Sequence, residues 1–504
     1  MITPQEQRAD GWRSLAEEPD LPRWGESAPD GAKVLATIVH LSDVHLCDAE
    51  SPARLEYLDH LSDPGEPYAD IFTEIGTYRP QEILTAQVAS AMVESVNGVT
   101  TGPVGGAGVD AVLVTGDVID NAQANELDWY VTIFRGGEVE PRSGGAQSSW
   151  VGSPTAGFWS DRFWHPEGPH AGHGPDRLSR DLGYPELPGL SEAARVSLRS
   201  EGIQHEWLTV HGNHDALLQG TVAPNEHTRQ LALGSKRVVD LAPGQMAYVA
   251  LESAAQVGPG RYADREDSPS APVPPDPARR LLAPGDLAAR VVPMAGRGYW
   301  SRDVGEVRVI ALDTVNEHGG WQGSIDEPQL DWLRAELASA DRPVVITSHH
   351  PSWTLVNPYT VPGAPRRVLA AELIELLLAE PKVVLWLAGH VHRHVVRLHP
   401  SAHGGLLEVV TASLIDWPQQ GRIVEILDDG EGGVYAAMTV LDHAGRWDDA
   451  ADAAEQLADP LALAGLSRVL AVNDFRLRPY GQAGLDVAAG RVEFRSATWR
   501  VRRG

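Results

Sequence analysis

The sequence contains very little cysteine, and that scarcity limits its covalent chemistry. Only one of the 504 residues, Cys47, is a cysteine, which excludes an intramolecular disulfide. A single unpaired thiol is compatible with the cytoplasm without requiring it. Cys47 lies two residues beyond His45, and we expect it to be a small buried thiol rather than a metal ligand or a redox group.

Long apolar runs are also missing. The first thirty residues carry scattered acidic side chains and lack the continuous apolar core of a secretory signal. The most apolar segment, residues 373–387, is interrupted by charged residues and a proline, well short of about 18 uninterrupted apolar residues. We therefore expect a soluble, cytoplasmic protein with no membrane partner, and an exported form stays open if a leader was removed.

Positive charge is scarce as well. The chain has 69 acidic against 41 basic residues, which gives a formal net charge of −28. Such a field repels long polyanions at moderate ionic strength, so no nucleic-acid partner is expected and a compact substrate is favoured. The arginine-rich last segment, residues 473–504, is expected to pair with the protein's own carboxylates. The oligomeric state is left open.

Five short segments rich in aspartate, histidine and asparagine each follow a run of apolar, β-branched residues. The apolar runs are residues 37–39, 112–114, 208–210, 344–346 and 383–385. The polar segments that follow them are residues 43–45, 116–121, 212–215, 348–351 and 389–392. Each is therefore predicted just past the C-terminal end of a buried strand, which is where open α/β sheets bind their ligands.

These residue types are the ones that a two-metal hydrolytic site requires. Two divalent ions roughly 3.5–4 Å apart need about seven protein donors and a shared oxygen, with a position kept open for water or substrate. Carboxylate, imidazole and carboxamide groups supply that mixture without cysteine. Such nitrogen and oxygen donors suit zinc, manganese or iron better than magnesium. The sequence therefore limits which metal ions fit the site but does not single out one of them.

Taken together and in order, the five segments resemble the motifs of the calcineurin-like metallophosphoesterase superfamily. One such motif arises often by chance, whereas the ordered set of five rarely does. The resemblance implies a four-layer α/β sandwich, in which two mixed β-sheets are flanked by helices, with inserted lid segments. It also implies hydrolysis of a phosphoester by a hydroxide that two metal ions share.

The resemblance also implies a ligand set for two metal ions. One ion would be held by Asp43, His45, Asp117 and His392. The other would be held by Asp117, Asn213, His349 and His390. Asp117 would therefore bridge the two ions.

Two further residues match positions of the family that act on the substrate. His214 is similar to the histidine that contacts the phosphoryl oxygens or protonates the leaving group. Asp120 resembles the carboxylate that orients this histidine by accepting its other N–H. The alternative for both residues is a structural role, in which the two polar side chains bond to each other near the site.

The motifs also suggest a domain organisation. Residues 1–33 are predicted to be an N-terminal extension, residues 34–450 the catalytic domain, and residues 451–504 a C-terminal helix with a basic tail. Insertions at about residues 136–205 and 253–297 interrupt the catalytic domain. The first carries Trp150, Trp159 and Trp164, so we favour an ordered lid near the metal cleft over a satellite cluster that buries its own tryptophans.

The function predicted from the sequence is the hydrolysis of a small phosphoester. A phosphodiester is slightly favoured over a phosphomonoester or a nucleotide pyrophosphate, by analogy with the superfamily. A nuclease would need a basic groove, which the net charge of −28 argues against. A non-catalytic metal-binding scaffold with the same fold is the alternative from another class. The intact ligand set favours catalysis over that scaffold.

Overall fold

The computed structural model describes residues 1–9, 11–18, 23–62, 66, 76–145, 152–153, 159–245, 267–291, 298–401, 404–477 and 480–502. The strands of these residues are β1 (Ile2–Pro4), β2 (Leu15–Glu17), β3 (Trp24–Gly25), β4 (Lys33–Leu41), β5 (Ala111–Val114), β6 (Gly137–Val139), β7 (Leu198–Ser200), β8 (Trp207–Thr209), β9 (Lys236–Val238), β10 (Ser270–Pro272), β11 (Trp300–Val304), β12 (Val307–Leu312), β13 (Ile325–Asp326), β14 (Val344–Ser348), β15 (Arg367–Val368), β16 (Val383–Ala388), β17 (Val395–Ser401), β18 (Gly404–Val410), β19 (Gln420–Asp428), β20 (Val434–Asp442) and β21 (Ala497–Arg502). The α-helices are α1 (Thr85–Gly98), α2 (Ala124–Arg135), α3 (Arg177–Leu182), α4 (Leu190–Ala193), α5 (Glu226–Leu233), α6 (Asp286–Val291), α7 (Glu327–Ser339), α8 (Ala370–Leu378), α9 (Ala453–Leu457), α10 (Pro460–Val472), α11 (Gly481–Ala489) and α12 (Val492–Arg495).

Two large mixed sheets form the centre of the fold. One has seven strands in the order β3-β21-β20-β19-β4-β5-β8, and the other has six in the order β11-β12-β14-β16-β18-β17. Strands β4, β5 and β8 run parallel in the first sheet, as do β12, β14, β16 and β18 in the second. Antiparallel strands flank each parallel set, namely β19 beside β4, β11 beside β12 and β17 beside β18. All parallel strands of a sheet therefore end at the same edge.

The two sheets pack face to face. Ile38 of β4 shares one buried cluster with Val345 of β14 and Leu385 of β16. Its neighbour Val39 points to the opposite side, as the two-residue period of a strand requires, and packs with Leu41 against helices α1 and α2. Strand β4 is thus buried on both faces, which is why residues 34–41 read as an almost continuous apolar run.

Helices cover the outer face of each sheet. Leu333 of α7 and Leu373 of α8 pack with Ile310 and Ile346 on the outer face of the six-stranded sheet. Helices α1 and α2 cover the seven-stranded sheet in the same way. The layer order is helix, sheet, sheet, helix, so the four-layer sandwich of two mixed β-sheets is confirmed. No described helix is both long and apolar enough to cross a membrane.

Helix boundaries follow local capping signals, and two of them differ from what the sequence pattern predicts. The leucine spacing of residues 328–340 predicts a helix, which is α7, and its start is capped by the Asp326 side chain. The alanine- and leucine-rich residues 449–470 predict a single helix, but Asp459 caps a new helix at Pro460 and so separates α9 from α10. The pattern of residues 366–378 predicts a helix from residue 366, but α8 begins at Ala370, since residues 367–368 pair with β13.

The described part of the first insertion packs as a satellite cluster. Trp164 is fully buried in a cluster with Leu178, Tyr184 and Leu466, the last from helix α10. None of the insertion's described residues lines the cleft that leads to the predicted metal site. Trp150 and residues 253–266 of the second insertion lie outside the described residues. The satellite alternative is therefore favoured for the described part, and the lid stays a prediction for the rest.

The two ends of the chain meet in the seven-stranded sheet. Strand β3 pairs with β21, which pairs with β20. Arg476 lies 2.9 Å from a carboxylate oxygen of Asp59, and Arg500 lies 3.6 Å from one of Asp429. These ion pairs agree with a basic segment that contacts the protein's own acidic residues. The predicted domain boundaries at residues 33 and 450 stay a prediction.

Candidate active site

The five predicted polar segments meet where the carboxyl edges of the two sheets adjoin. Strands β4, β5 and β8 deliver three of them, and strands β14 and β16 deliver the other two. Their donor atoms form overlapping groups, and within each group the atoms lie within 4.8 Å of one another. These groups are Asp43-His45-His392, His45-Asp117-His214, Asp43-Asp117-His349 and His349-His350-His390. The predicted strand-end positions of these segments are confirmed.

One half of the site is formed by Asp43, His45 and His392. The two Nε2 atoms of His45 and His392 face each other at 3.2 Å, and His392 Nε2 lies 3.4 Å from Asp43 Oδ1. The Nδ1 atoms of these histidines contact carboxylates, at 3.0 Å from Asp120 and at 2.6 Å from Asp416. Because each carboxylate accepts the Nδ1 proton, both Nε2 lone pairs point into the same small volume, as in a cation site.

The other half is formed by Asp117, Asn213, His349 and His390. His349 Nε2 lies 3.1 Å from Asp117 Oδ2 and 3.2 Å from His390 Nδ1. Its Nδ1 donates to the Thr115 carbonyl at 2.7 Å, which again leaves Nε2 free to face the site. The same oxygen of Asp117 lies 3.8 Å from Nε2 of His45 in the first half. Asp117 therefore lies near donors of both halves, as does Asp43, which shares one donor group with His392 and another with His349.

Asn213 supplies the test of whether the site fits a metal ion. Its amide nitrogen donates to the Gly220 carbonyl at 3.0 Å, so the carboxamide is oriented with Oδ1 away from that carbonyl. Asn213 Oδ1 is buried and has no hydrogen-bond donor. A buried acceptor without a partner costs about 1–3 kcal/mol, and a cation at this point would satisfy it.

Backbone strain is concentrated at the same place. Eight non-glycine residues of the described chain have positive φ, and five of them lie in the site: Asp43, His45, Asp117, His390 and His392, with φ between 47° and 72°. Such conformations cost about 1–3 kcal/mol each and persist where the surrounding fold imposes them, most often at functional sites. Glycines allow this close packing, because a Cβ on Gly389 would lie 2.5 Å from Asp43 Oδ2.

The electrostatics of the site favour cations. Burial would lower the pKa of His349, but Asp117 and Asp43 outweigh it and raise the pKa to about 9. Burial would likewise lower the pKa of His392, and Asp43 and Asp416 raise it to about 10. The carboxylates thus create a negative potential in a buried volume, and the imidazoles compensate it by holding protons that metal ions would displace.

His214 lies at the edge of this volume, facing the cleft. Its backbone N–H donates to Asp117 Oδ1 at 2.8 Å, and its Nδ1 donates to the Asp120 main-chain carbonyl at 2.8 Å. A carbonyl only accepts, so Nδ1 carries the proton and Nε2 faces the cleft. Burial would lower the pKa of His214, but Asp117 and Asp120 together raise it. Nε2 is therefore biased toward its protonated, donating form.

Asp120 offers His214 Nδ1 two acceptors, its carboxylate and its main-chain carbonyl. The nearer acceptor is its carbonyl, whereas its carboxylate Oδ1 lies 3.3 Å from His214 Nδ1. The carboxylate is engaged elsewhere, with His45 at 3.0 Å and with Arg54 at 2.6 Å. Asp120 thus connects a predicted ligand, the predicted proton donor and a buried arginine.

Part of the chain matches a known protein family. Residues 189–394 match the model of the calcineurin-like phosphoesterase family, a stretch that holds the third, fourth and fifth polar segments. The superfamily recognised from the motifs is confirmed. The first two segments, around Asp43 and Asp117, lie outside the matched stretch, and the structure brings them to the same site. No curated protein sequence matches the chain significantly.

Three solved structures are similar to the chain at low sequence identity. A dimetal phosphatase from Danio rerio is 13% identical with a TM-score of 0.35, and the match covers 82% of this chain and 97% of that one. The calcineurin-like phosphoesterase YfkN from Bacillus subtilis is 11% identical with a TM-score of 0.26, covering 86% and 98%. The sulfate thiohydrolase SoxB from Thermus thermophilus, in complex with glycerol, is 14% identical with a TM-score of 0.27, covering 84% and 58%.

Sequence reasoning missed the buried arginine that supports Asp120. Arg54 is fully buried and donates to Asp120 Oδ2 at 2.6 Å, to Cys47 Sγ at 2.7 Å and to Glu82 at 2.8 Å. Burial would raise the pKa of Asp120, but the Arg54 guanidinium holds it well below its usual range. The predicted burial of Cys47 is confirmed, and burial raises the pKa of its thiol. No local pattern around Arg54 indicated this network.

Asp416 and Arg79 were also missed. Asp416 accepts from His392 Nδ1 and from two nitrogens of Arg79, at 2.6 and 2.9 Å. A signal for Asp416 was available, because it follows strand β18, whose residues 406–410 are apolar except for Glu408, much as the other site residues follow their strands. Nothing in the sequence pointed to Arg79, which lies 337 residues away from Asp416 along the chain.

His350, the neighbour of a predicted ligand, has a structural role. Its Nδ1 contacts the Thr314 hydroxyl at 2.8 Å, and its Nε2 donates to the Trp321 carbonyl at 2.9 Å. Both ring nitrogens are therefore engaged, and neither is free to bind an ion even though the ring lies near His349 and His390. Burial lowers the pKa of His350 to about 3, so it is a neutral imidazole.

A cleft of about 1040 Å³ opens above the site. Its floor includes Asp117, Asn213, His214, His390 and His392. The volume lies at the upper end of the range usual for small-molecule sites. The cleft therefore has room for a substrate that is much larger than inorganic phosphate.

Proposed function

We propose that this protein is a binuclear metal-dependent phosphoesterase that hydrolyses a small phosphoester. The observation that carries this proposal is the set of adjoining donor groups that meet at Asp117, together with the buried, partnerless Oδ1 of Asn213 in the segment that follows strand β8. The match to the calcineurin-like phosphoesterase family supports a hydrolase in general terms.

We assign two metal positions to this site. The first would use Asp43, His45, Asp117 and His392, and the second Asp117, Asn213, His349 and His390. These oxygen and nitrogen donors suit manganese, iron or zinc. Two such ions supply Lewis acidity toward the phosphoryl oxygens and lower the pKa of a coordinated water toward about 7.

The chain's own residues provide the proton transfer and the orientation. His214 Nε2 faces the cleft with Nδ1 fixed by the Asp120 carbonyl, so a proton on Nε2 points toward the leaving group of a bound ester. Asp117 Oδ1 accepts from the His214 backbone N–H and so ties this histidine to the bridging carboxylate. Asp120 fixes His45 through its carboxylate and His214 through its carbonyl. These bonds hold the two imidazole rings edge to face, with their centroids 4.5 Å apart.

We favour a phosphodiester as the substrate. The cleft has room for substituents on both sides of a phosphoryl group, and the net charge of −28 disfavours a polymeric anion. A phosphomonoester or a nucleotide pyrophosphate would use the same metal positions, so an experiment must distinguish these substrate classes.

The test is metal analysis of the purified chain combined with two chromogenic esters. Inductively coupled plasma mass spectrometry should find two metal ions per chain after reconstitution with manganese, zinc or iron. Hydrolysis of bis-p-nitrophenyl phosphate should exceed that of the monoester. Faster hydrolysis of the monoester would overturn the diester preference alone, and two bound metals without turnover of either ester would favour the scaffold alternative.

A further inference from the structure

One wall of the cleft is an apolar stripe along helix α11. The residues that face the cleft there are Tyr480, Ala483, Gly484, Val487 and Ala488, at helical spacings of three and four. Tyr480 and Val487 are 65% and 61% exposed, the highest values among the large exposed hydrophobic side chains of the described chain. Water therefore contacts an apolar surface directly beside the candidate metal site.

The exposed part of this stripe, Tyr480, Ala483 and Val487, is not the face that anchors the helix, whereas Ala488 also packs against the anchoring cluster. Leu485 and Ala489 pack against Trp417 and Val472 and hold α11 to the body of the protein. The polar residues Gln482 and Asp486 occupy a third side and bond to each other at 3.1 Å. A surface helix needs one apolar face for its core contacts. Tyr480 and Val487, on the side toward the cleft, are exposed and are not part of that anchoring cluster.

The apolar surface continues out of the cleft. A neighbouring groove of about 370 Å³ is lined by Val487, Val395, Phe494 and Trp353, among others. Val487 and Arg393 line both the cleft and the groove. The two spaces together form one elongated depression that starts at the site and runs along α11.

The junction of the two spaces carries a positive charge. Arg393 directly follows the predicted ligand His392, and no carboxylate of the described chain pairs with it. The side chains that α11 presents to the cleft carry no charge, and only the Tyr480 hydroxyl could form a hydrogen bond. Such a wall binds an aliphatic chain by burying it, and it lacks the polar groups that would read the edges of a nucleobase.

We propose that the substrate of this site is an amphiphilic phosphodiester, whose alkyl chain lies along the apolar stripe of α11 while its phosphoryl group lies at the metal positions. The inference rests on the proposed phosphoesterase function. Arg393 contacts the anionic end of the molecule, and Val487 lies where the chain passes from the cleft into the groove.

Equilibrium binding of butyl, hexyl and octyl phosphonic acid, measured by titration calorimetry below their micelle concentrations, tests this inference. These compounds combine a phosphoryl mimic with an alkyl chain and cannot be hydrolysed at phosphorus. Affinity should rise with chain length by up to about fourfold per methylene, the equivalent of about 0.8 kcal/mol. The ratio of octyl to butyl affinity is the quantity compared among variants.

Val487→Asp should remove most of that chain-length dependence, because a carboxylate on the stripe opposes burial of an alkyl chain. Val196→Asp is the matched control, since Val196 is 58% exposed and lies outside the cleft and the groove. It should keep the full dependence. Both positions are exposed, and thermal melts should confirm that each variant folds.

Two results would overturn the inference: affinities independent of chain length, or an unchanged dependence in Val487→Asp. Tighter binding of thymidine 5′-phosphonate than of octyl phosphonate would also overturn it, in favour of a nucleotide. Hydrolysis of p-nitrophenyl alkyl phosphodiesters by the metal-loaded protein is measured in parallel. Chain-length-dependent binding without hydrolysis of any ester would contradict the proposed function while supporting the apolar subsite.

Discussion

Replacing Asp416 by asparagine should weaken one metal position and leave the other intact. Asp416 Oδ2 accepts from His392 Nδ1 at 2.6 Å, and this bond turns His392 Nε2 toward Asp43 and His45. Asparagine keeps the shape and removes the charge, so the imidazole is a weaker donor and its orientation is held less firmly. Changes of this kind typically cost about 10- to 100-fold in metal affinity, which corresponds to roughly 1.4–2.7 kcal/mol.

The assay is a chelator competition that resolves the two sites. In Asp416→Asn, one of two ions should be lost at a chelator concentration about 10- to 100-fold lower than in the wild type, and the second ion should behave as before. Asp331→Asn is a suitable control, because Asp331 forms an exposed ion pair with Arg334 far from the site. Equal weakening of metal binding at both positions, or no weakening at either, would refute the assignment of His392 to only one of the two metal positions.

Three further predictions address the ligands, the proton donor and a buried acid. His392→Ala should lose one metal ion and nearly all turnover while the chain stays folded, as measured by metal analysis, esterase assay and circular dichroism. His214→Ala should keep both ions and reduce kcat by about 10²–10⁴, the range usual for a lost general acid or base. Glu50 is buried, and burial together with Asp48 raises its pKa to about 7 despite the nearby Arg195. Because the folded state holds this proton more tightly than the unfolded chain does, Glu50 contributes stability below about pH 4.5 that is lost as the pH rises through 7, by about 3 kcal/mol. Glu50→Gln should therefore melt at a higher temperature than the wild type at pH 8, and the difference should shrink toward pH 5.

Each of these three predictions has an outcome that would contradict it. Full activity in His392→Ala would remove that residue from the ligand set. Loss of a metal ion from His214→Ala would show that the division between ligand and proton donor in residues 213–214 is wrong. A stability difference for Glu50→Gln that does not change with pH would mean that the Glu50 pKa is not raised; the exposed Glu431→Gln serves as the control.

Much of the site could be predicted from residues alone because the strands that carry it are locally encoded. Residues 37–39 and 383–385 are apolar or β-branched, a composition typical of strands that are buried on both faces. The polar residues that follow must then lie at the sheet edge. In this way the sequence by itself determined the positions of Asp43, Asp117, Asn213, His349 and His390 relative to their strands, and the chemistry of the donors limited the metals.

Only the tertiary structure decided which distant groups complete the site. Arg54 and Arg79 lie in irregular segments with no periodic signal, and each reaches its partner through a contact between residues far apart in sequence. The carbonyl of Asp120 is a nearer acceptor for His214 than its carboxylate, which also contacts Arg54 and His45. Tertiary packing also decided that the apolar stripe of α11 faces the cleft. Its amphipathic pattern indicates two apolar faces, and only the packing of Leu485 on Trp417 determines which of them is left open to the substrate.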